Sequence, residues 1–194
     1  MSSPDDIIVG TGDAQAALGI GARLRDAEPA EPRSLDGLVA RLRERFGQVA
    51  VLPAPASRAP VDSDAVLIRG LTADSRAVKP GNLFVAIPGA VADGHRYAAD
   101  AERAGAAAVL VERAIDGLGI GQVVVPHTRP ALAEVAAWWY GDPARELGVI
   151  GVTGTDGKTT TSLLASAALR AAGLMSGLIG TVATQIGGSS EANP

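Results

Sequence analysis

The spacing of apolar residues predicts two amphipathic helices, one near residue 40 and one near residue 135. The first begins after Ser34, a candidate N-cap, and stops at Gly47. The second begins at Thr128, also a candidate cap, and runs to Tyr140. The apolar positions at helical intervals are Leu35, Leu38, Val39, Leu42 and Phe46 in the first helix, and Leu132, Val135, Ala136 and Trp139 in the second. Each helix therefore has one face to bury.

Short apolar runs between these helices predict the strands of a sheet. They lie at residues 65–71, 82–88, 106–111 and 122–126. A further helix is predicted at residues 96–103. Because short strands alternate with helices, the α/β class is predicted for this part of the chain. Residues 1–33 lack sustained periodicity and are predicted to form a poorly ordered extension.

After the second amphipathic helix the pattern restarts. Residues 146–154 predict a strand, residues 158–172 a helix and residues 177–182 another strand, which together make one parallel β-α-β unit. A parallel sheet with one crossover leaves its faces uncovered. The chain is therefore expected to hold a complete small domain over residues 34–147 and the start of a larger, parallel-sheet domain over residues 148–194.

The turn before the helix at residue 158 carries the clearest chemistry. Its sequence, Gly-Thr-Asp-Gly-Lys-Thr-Thr, matches the phosphate-loop pattern except that Val152 stands where the first glycine is expected. Gly154 and Gly157 let backbone N–H groups approach phosphate oxygens at a helix N-terminus. Lys158 can reach the β- and γ-phosphates, and the Thr159 hydroxyl is a hard oxygen ligand suited to Mg²⁺.

The alternative for this turn is an ordinary Gly-rich connection, with Asp156 as a turn-forming residue. The Gly-Lys-Thr sequence lies where a predicted strand ends and a predicted helix begins, which favours binding of a nucleoside triphosphate.

Composition narrows the class of protein further. The chain has no cysteine for disulfides or thiolate metal sites, and its two histidines are too few for a His-based metal cluster. A net charge of −4 and an aromatic content of 3% argue against nucleic acid as a partner. A long apolar run and a secretory signal are both missing from the sequence, so we expect a cytoplasmic location and no membrane partner.

Two stretches resemble the Mur ligases. The turn at residues 151–161 resembles their ATP loop, and residues 74–112, from Asp-Ser-Arg to Leu-Val-Glu, resemble the N-terminal domain that two members share. The resemblance covers roughly residues 35–182. Thr155 and Ser162 fit the member that adds the third stem-peptide residue better than the member that adds D-Ala-D-Ala, which more often has Ser and Lys there. Asn is commoner in the family where Asp156 stands.

The resemblance implies an ATP-dependent amide ligase of peptidoglycan synthesis. Such an enzyme adds the third amino acid to UDP-N-acetylmuramoyl-L-Ala-D-Glu through an acyl phosphate, with ATP and Mg²⁺ as cofactors and the UDP-muramoyl dipeptide and an amino acid as partners. It implies a monomer of three domains that bind UDP, ATP and the amino acid. The remaining substrate and metal ligands and the amino-acid pocket are expected downstream, so we expect the 194 residues alone to be inactive. The third amino acid stays open between meso-diaminopimelate, L-lysine and another.

The resemblance also implies roles for individual residues. The substrate-binding residues would be Ala73, Ser75, Arg76, Ala90, Val91 and Ala92. The ATP-binding residues would be Gly154, Thr155, Asp156, Gly157, Lys158, Thr159 and Thr160, with Lys158 catalytic and Thr159 the metal ligand.

Several alternatives stay open at this stage. Asp74-Ser75-Arg76 is also the sequence of an Asx-type turn with a solvated arginine. His95 is either a general base or, as we favour, a residue that packs on the sheet. For the whole chain the alternatives are the D-Ala-D-Ala-adding ligase, a non-catalytic UDP-sugar or nucleotide-binding module, and a phosphate-loop kinase or GTPase.

Overall fold

A computed structural model describes residues 29, 31–54, 66–90, 92–186 and 189–192 of the chain. The chain divides into two compact units, the larger ending at Gly148 and the smaller containing the described residues from Val149 onward. Of the expected extension over residues 1–33, residues 1–28 and residue 30 lie outside the described part of the chain.

The larger unit has seven described strands, which are β1 Arg33–Ser34, β2 Ala50–Leu52, β3 Leu67–Ile68, β4 Gly70–Thr72, β5 Asn82–Val85, β6 Ala108–Val111 and β7 Gly121–Val124. Five of them form a sheet with the order β2-β7-β6-β5-β4, and β1 and β3 form a separate two-stranded ribbon. Strands β4 to β7 are parallel, and β2 runs antiparallel at the edge beside β7. The predicted α/β class is confirmed.

Helices cover both faces of this sheet. They are α1 Leu35–Phe46, α2 Ala98–Arg103 and α3 Thr128–Tyr140. Helices α1 and α3 contribute Leu38, Val135 and Trp139 to a core that also contains Leu83 and Leu110 of the sheet. Helix α2 contributes to a second core on the opposite face, which contains Phe84, Ala98, Ala101 and Val109. The unit is therefore a three-layer α/β structure.

The two long helices have the predicted bounds. The Ser34 hydroxyl accepts a hydrogen bond from the backbone N–H of Asp36, 3.2 Å away, as the N-cap prediction requires. Of the four residues predicted to face the core in α3, Val135 and Trp139 are buried, whereas Leu132 and Ala136 are only partly buried and Ala131 is buried in place of Leu132. Thr128 is the first helical residue rather than the cap.

The predicted strand at residues 65–71 is divided between two sheets. Leu67–Ile68 pairs antiparallel with β1, whereas Gly70–Thr72 pairs in parallel with β5. Arg69 lies at the crossing, and its backbone N–H donates to Gly81 O at 2.9 Å. The predicted helix at residues 96–103 is a 3₁₀ turn over Gly94–Tyr97 followed by α2.

The smaller unit contains a helix and an antiparallel sheet. Its elements are α4 Lys158–Ala171, β8 Leu178–Ile179, β9 Ala183–Ile186 and β10 Ser189–Ala192, with the sheet order β10-β9-β8. The helix prediction is correct to within one residue, but the parallel pairing predicted for residues 146–154 and 177–182 is wrong for the described residues. β8 pairs instead with β9, and antiparallel strands need only a short connection. Val149 is 75% exposed and lies in no strand.

Helix α1 stabilises the larger unit through its buried leucines. We predict that Leu38→Ala, at a side chain that is 0% exposed, lowers the free energy of unfolding by about 2–5 kcal/mol, since it leaves a cavity. The matched control is Leu67→Ala in β3, at a side chain that is 44% exposed, and we expect a loss of about 1 kcal/mol or less there. Urea unfolding of the purified chain measures both. Equal losses for the two variants would contradict the assigned core.

Candidate functional site

The carboxyl ends of the four parallel strands lie along one edge of the sheet, called the carboxyl edge below. Residues 73–76 follow β4, residues 86–93 follow β5, Glu112 and Arg113 follow β6, and residues 125–129 follow β7. In open α/β sheets, ligands bind outside this edge because the loops there are free to carry polar groups. The predicted substrate residues of the larger unit all belong to these loops.

The Asp74-Ser75-Arg76 segment is a capped turn with an arginine held against it. The Asp74 carboxylate caps the 3₁₀ turn Ser75–Ala77 by accepting the backbone N–H of Arg76 at 3.0 Å. It also accepts two bonds from the Arg76 guanidinium, from Nε at 2.9 Å and from Nη2 at 2.8 Å. This Arg76 contact lowers the pKa of Asp74 to about 2. Both the Asx-type turn and the fixed cation are therefore present.

Ser75 and Ala73 are the other predicted residues of this turn. Ser75 is half-buried, and its hydroxyl makes no hydrogen bond to another residue within the described ranges. Ala73 is exposed, and so is Arg76. The turn thus presents an uncommitted hydroxyl beside a guanidinium, which suits a ligand with both polar edges and negative charge.

The segment after β5 closes a tight turn, here called the alanine turn and made of residues 88–90 and 92–93. Pro88 and Asp93 form an antiparallel bridge, and the Gly89 N–H donates to Ala92 O at 2.9 Å. Ala90 and Ala92 at its tip are exposed, while the predicted contact Val91 lies outside the described residues. At its base, the Gly94 N–H donates to Ile87 O at 2.9 Å.

Asp93 connects the alanine turn to two other segments. Its carboxylate accepts bonds from Arg113 Nη2 at 2.6 Å and from the backbone N–H of His95 at 3.0 Å. The His95 ring lies against the same carboxylate, with Nδ1 at 2.6 Å from Oδ1. The Arg113 bond, followed by the two His95 bonds, holds the pKa of Asp93 well below its usual range.

Glu112 joins the ends of β6 and β7. Its Oε1 accepts the backbone N–H of Thr128 at 2.7 Å and the Thr128 hydroxyl at 3.0 Å, so it caps helix α3 from a different strand. These bonds lower the pKa of Glu112 against the opposing effect of burial. The backbone N–H of Glu112 in turn donates to His95 Nε2 at 2.8 Å. Residues 93, 95, 112 and 128 are thereby one connected network that the sequence patterns did not indicate.

In the smaller unit, the predicted phosphate loop precedes helix α4. Gly157 occupies the N-cap with φ 76° and ψ −3°, a left-handed conformation that favours glycine. Lys158 Nζ donates to the carbonyl oxygens of Gly154 and Thr155, the latter at 3.1 Å. All of the predicted residues are exposed, namely Gly154, Thr155, Asp156, Gly157, Lys158, Thr159 and Thr160.

The hydrogen-bonding state of this loop fits a bound triphosphate. In the described part of the chain, none of the backbone N–H groups of residues 154–160 donates to a backbone carbonyl. Backbone N–H groups that are free at a helix N-terminus are a general feature of anion-binding sites. The Thr159 hydroxyl is exposed and has no hydrogen-bond partner among the described residues, so it is available to a hard cation. Lys158 and Thr159 would hold the phosphates and the metal ion.

Taken together, the carboxyl-edge loops and the two covered faces of the sheet define an open α/β domain of the ligand-binding type. A family model described as "Mur ligase family, catalytic domain" matches residues 67–140, which include β4 to β7 and every loop of the carboxyl edge. The chain carries a Mur ligase family domain, and the resemblance seen in the sequence is confirmed.

Similar proteins come from several bacteria. The chain is 50% identical over 135 residues to a UDP-N-acetylmuramyl-tripeptide synthetase of Roseiflexus, covering 69% of this chain and 26% of the relative. It is 48% identical over 141 residues to a UDP-N-acetylmuramoyl-L-alanyl-D-glutamate–2,6-diaminopimelate ligase of Chlorobaculum tepidum, covering 72% and 28%. A crystal structure of MurF from Acinetobacter baumannii is similar with a TM-score of 0.52 and 30% identity, over 74% of this chain and 28% of that one. The chain thus spans about a quarter of the length of these relatives.

One further finding concerns membranes. Within the ranges that the structure describes, every helix is too short or too polar to span a bilayer.

Close backbone contact at Gly94 maintains the alanine turn. A Cβ at this position would lie 2.6 Å from Ile87 N and 2.7 Å from Ile87 O, both rigid backbone atoms. We predict that Gly94→Ala destabilises the chain by about 1–3 kcal/mol, because the turn has to open to relieve the overlap. Gly148→Ala is the control, since nothing lies within 4 Å of the added atom there. Thermal unfolding of both variants is the measurement, and a Gly94→Ala variant as stable as Gly148→Ala would contradict the geometry.

Proposed function

We propose that this chain is the UDP-substrate-binding part and the ATP loop of an ATP-dependent ligase of peptidoglycan precursor synthesis. The proposed reaction adds the third amino acid to UDP-N-acetylmuramoyl-L-Ala-D-Glu, as in a UDP-N-acetylmuramyl-tripeptide synthetase. In the domain assignment that we propose, residues 34–147 bind the UDP-sugar and residues 148–194 begin the ATP-binding domain, in a cytoplasmic protein that acts as a monomer. The single observation that carries the proposal is that one chain contains both a polar carboxyl edge, in the larger unit, and a Gly-Lys-Thr loop, in the smaller unit.

The carboxyl edge supports the substrate assignment. Ser75 has an uncommitted hydroxyl for a uracil or ribose edge, and Arg76 is a fixed cation next to it. Ala90 and Ala92 offer a small, exposed turn that a nucleotide can approach closely. Ala73 and Val91 are included on the family resemblance. The 50% identity to a tripeptide synthetase supports the same substrate class.

The loop at residues 154–160 supports the use of ATP and Mg²⁺. ATP, when bound, supplies the phosphoryl group that activates the substrate carboxylate toward the amine of the incoming amino acid. Lys158 neutralises charge on the phosphates, and the backbone N–H groups orient them. The Thr159 hydroxyl is the proposed metal ligand in this chain. Lys158 is therefore the residue of this chain to which we assign a catalytic role.

A second candidate is the ligase that adds D-Ala-D-Ala, and the similarity to MurF at 30% identity favours it. The two candidates differ in the peptide already attached to the UDP-sugar. Tighter binding of UDP-N-acetylmuramoyl-tripeptide than of the dipeptide form would support the second candidate over the first.

The Ser75 hydroxyl provides a direct test of the substrate site. We predict that Ser75→Ala weakens binding of UDP-N-acetylmuramoyl-L-Ala-D-Glu to the 194-residue chain by about three- to tenfold, the usual effect of one neutral hydrogen bond. Titration calorimetry measures the dissociation constants. Ser190→Ala, the same chemical change at an exposed position in the smaller unit, is the control and is expected to bind like the unchanged chain. Equal affinity of all three proteins would remove Ser75 from the site.

Lys158 provides the corresponding test of the ATP loop. We predict that Lys158→Ala weakens binding of Mg·ATP by about tenfold or more, because a charge-assisted contact to phosphate is lost. Binding of the UDP-linked dipeptide should stay unchanged, since Lys158 belongs to the other unit. Arg170→Ala, at the far end of the same helix, is the control for loss of a positive charge. Equal loss of Mg·ATP affinity in both variants would indicate a general charge effect and contradict the assigned role.

A further inference from the structure

His95 is a buried histidine that the proposed chemistry does not use. His95 is only 5% exposed, and both of its ring nitrogens have hydrogen-bond partners. The backbone N–H of Glu112 can only donate, so Nε2, 2.8 Å away, is the acceptor. Nδ1 therefore carries the ring proton and donates it to Asp93 Oδ1 at 2.6 Å. This tautomer follows from the bonding partners, and it makes the ring a neutral bridge between two segments.

This bonding argues against the general-base alternative for His95. A base needs a free nitrogen within reach of a reacting proton. Here Nε2 is occupied inside the protein by Glu112, and Nδ1 already holds a proton that Asp93 accepts. The ring could act as a base only by breaking the bond to Glu112, which would leave a buried N–H without an acceptor.

The bridge connects the loops that follow three neighbouring strands. Asp93 closes the alanine turn after β5, and Glu112 is the first residue after β6. Through its side chain, Glu112 also caps helix α3 after β7 by bonding Thr128. Arg113 adds a second bond to Asp93, from the end of β6. The network thus connects the alanine turn to the carboxyl ends of β6 and β7.

The alanine turn depends on such polar contacts for its position. Ala90 and Ala92 at its tip are exposed, and neither Gly89 within the turn nor Gly94 just after it has a side chain to pack. The bonds that hold it come from Asp93, from the glycine N–H groups and from Arg129, whose Nη2 donates to Pro88 O at 3.3 Å. A ligand at this tip would meet backbone atoms and small side chains. Its contacts therefore depend on where the turn lies more than on which side chains it carries.

We infer that His95 is a positioning residue, which acts through Asp93 and Glu112 to hold the alanine turn in the place where a UDP-muramoyl peptide contacts it. The inference rests on the proposed function in one respect, that the alanine turn contacts this substrate. Because the ring never touches the substrate, it has no part in the chemical step.

The test compares three variants of the 194-residue chain. His95→Phe keeps a ring of similar size but removes the bonds to Asp93 and Glu112. His95→Gln keeps an acceptor that can reach the Glu112 N–H. The matched control is Gln122→Leu. Gln122 is 6% exposed, and its side-chain amide makes two hydrogen bonds to the backbone of Ile115, at 2.8 and 2.9 Å. These bonds lie away from the alanine turn. His95→Phe and Gln122→Leu thus each remove two buried hydrogen bonds and should lose similar stability.

Two measurements distinguish positioning from simple stabilisation. Calorimetry with UDP-N-acetylmuramoyl-L-Ala-D-Glu should give about tenfold weaker binding for His95→Phe, a smaller loss for His95→Gln and none for Gln122→Leu. Hydrogen exchange should accelerate at the Gly89 and Gly94 amides in His95→Phe and stay unchanged there in Gln122→Leu.

The outcomes separate this inference from the proposed function. Tight binding by the unchanged chain and by His95→Phe alike would overturn the positioning role and leave the substrate assignment intact. Equal weakening in His95→Phe and Gln122→Leu would also overturn it. If the unchanged chain does not bind the substrate, the proposed function fails. The exchange rates still decide then, since unaltered exchange at Gly89 and Gly94 in His95→Phe rejects the role of His95 in holding the turn.

Discussion

Burial of β5 and β6 on both faces is the constraint on which the larger unit depends. Every residue of these two strands is buried. Their side chains alternate between the two layers, with Leu83 and Leu110 packing toward α1 and α3, and Phe84 and Val109 toward α2. A parallel sheet requires such cover, since each strand is followed by a crossover that lies on one face. Once both faces are filled, the strand ends are where the chain can present polar groups to a ligand.

This constraint also explains why the carboxyl edge is held by polar bonds. The loops there leave the apolar layers, so their backbone donors need acceptors from side chains. Glu112 accepts the backbone N–H of Thr128 and so caps α3, and Asp93 accepts the backbone N–H of His95 as well as a bond from the Arg113 guanidinium. Each of these carboxylates accepts at least two bonds, which is why the pKa of each lies below its ordinary value. The charges at this edge are therefore structural as well as available for recognition.

The sequence predicted the features that depend on neighbouring residues. The bounds of α1 and α3, the stop at Gly47 and the start of α4 at Lys158 all follow from local spacing and caps. The network of His95 escaped prediction because Glu112 lies 17 residues away along the chain, and Thr128 a further 16. Periodicity indicates that a residue is buried, but it does not identify its polar partner.

The error in the smaller unit has a related cause. The apolar run near Val149 is suited to a strand. A strand forms, however, only where a neighbouring strand offers backbone hydrogen bonds. β8 pairs with β9, which begins four residues after β8 ends, because closing a short connection costs less conformational entropy than closing a long crossover. β10 was not predicted either, and its Glu191 and Ala192 are residue types that are depleted in strands. Local pairing thus decided the topology there.

The two candidate sites differ in how they are prepared for a ligand. The loops of the carboxyl edge are hydrogen-bonded to one another, and their position depends on contacts between segments that are distant in the sequence. The predicted phosphate loop differs, because among the described residues its N–H groups at positions 154–160 donate to no backbone carbonyl and Lys158 donates to the carbonyl oxygens of Gly154 and Thr155. Those carbonyls are neutral acceptors at an exposed site, whereas phosphate oxygens carry charge. Charge-assisted hydrogen bonds are roughly twice as strong as neutral ones, so in the proposed function a triphosphate would compete with these carbonyl oxygens for Lys158.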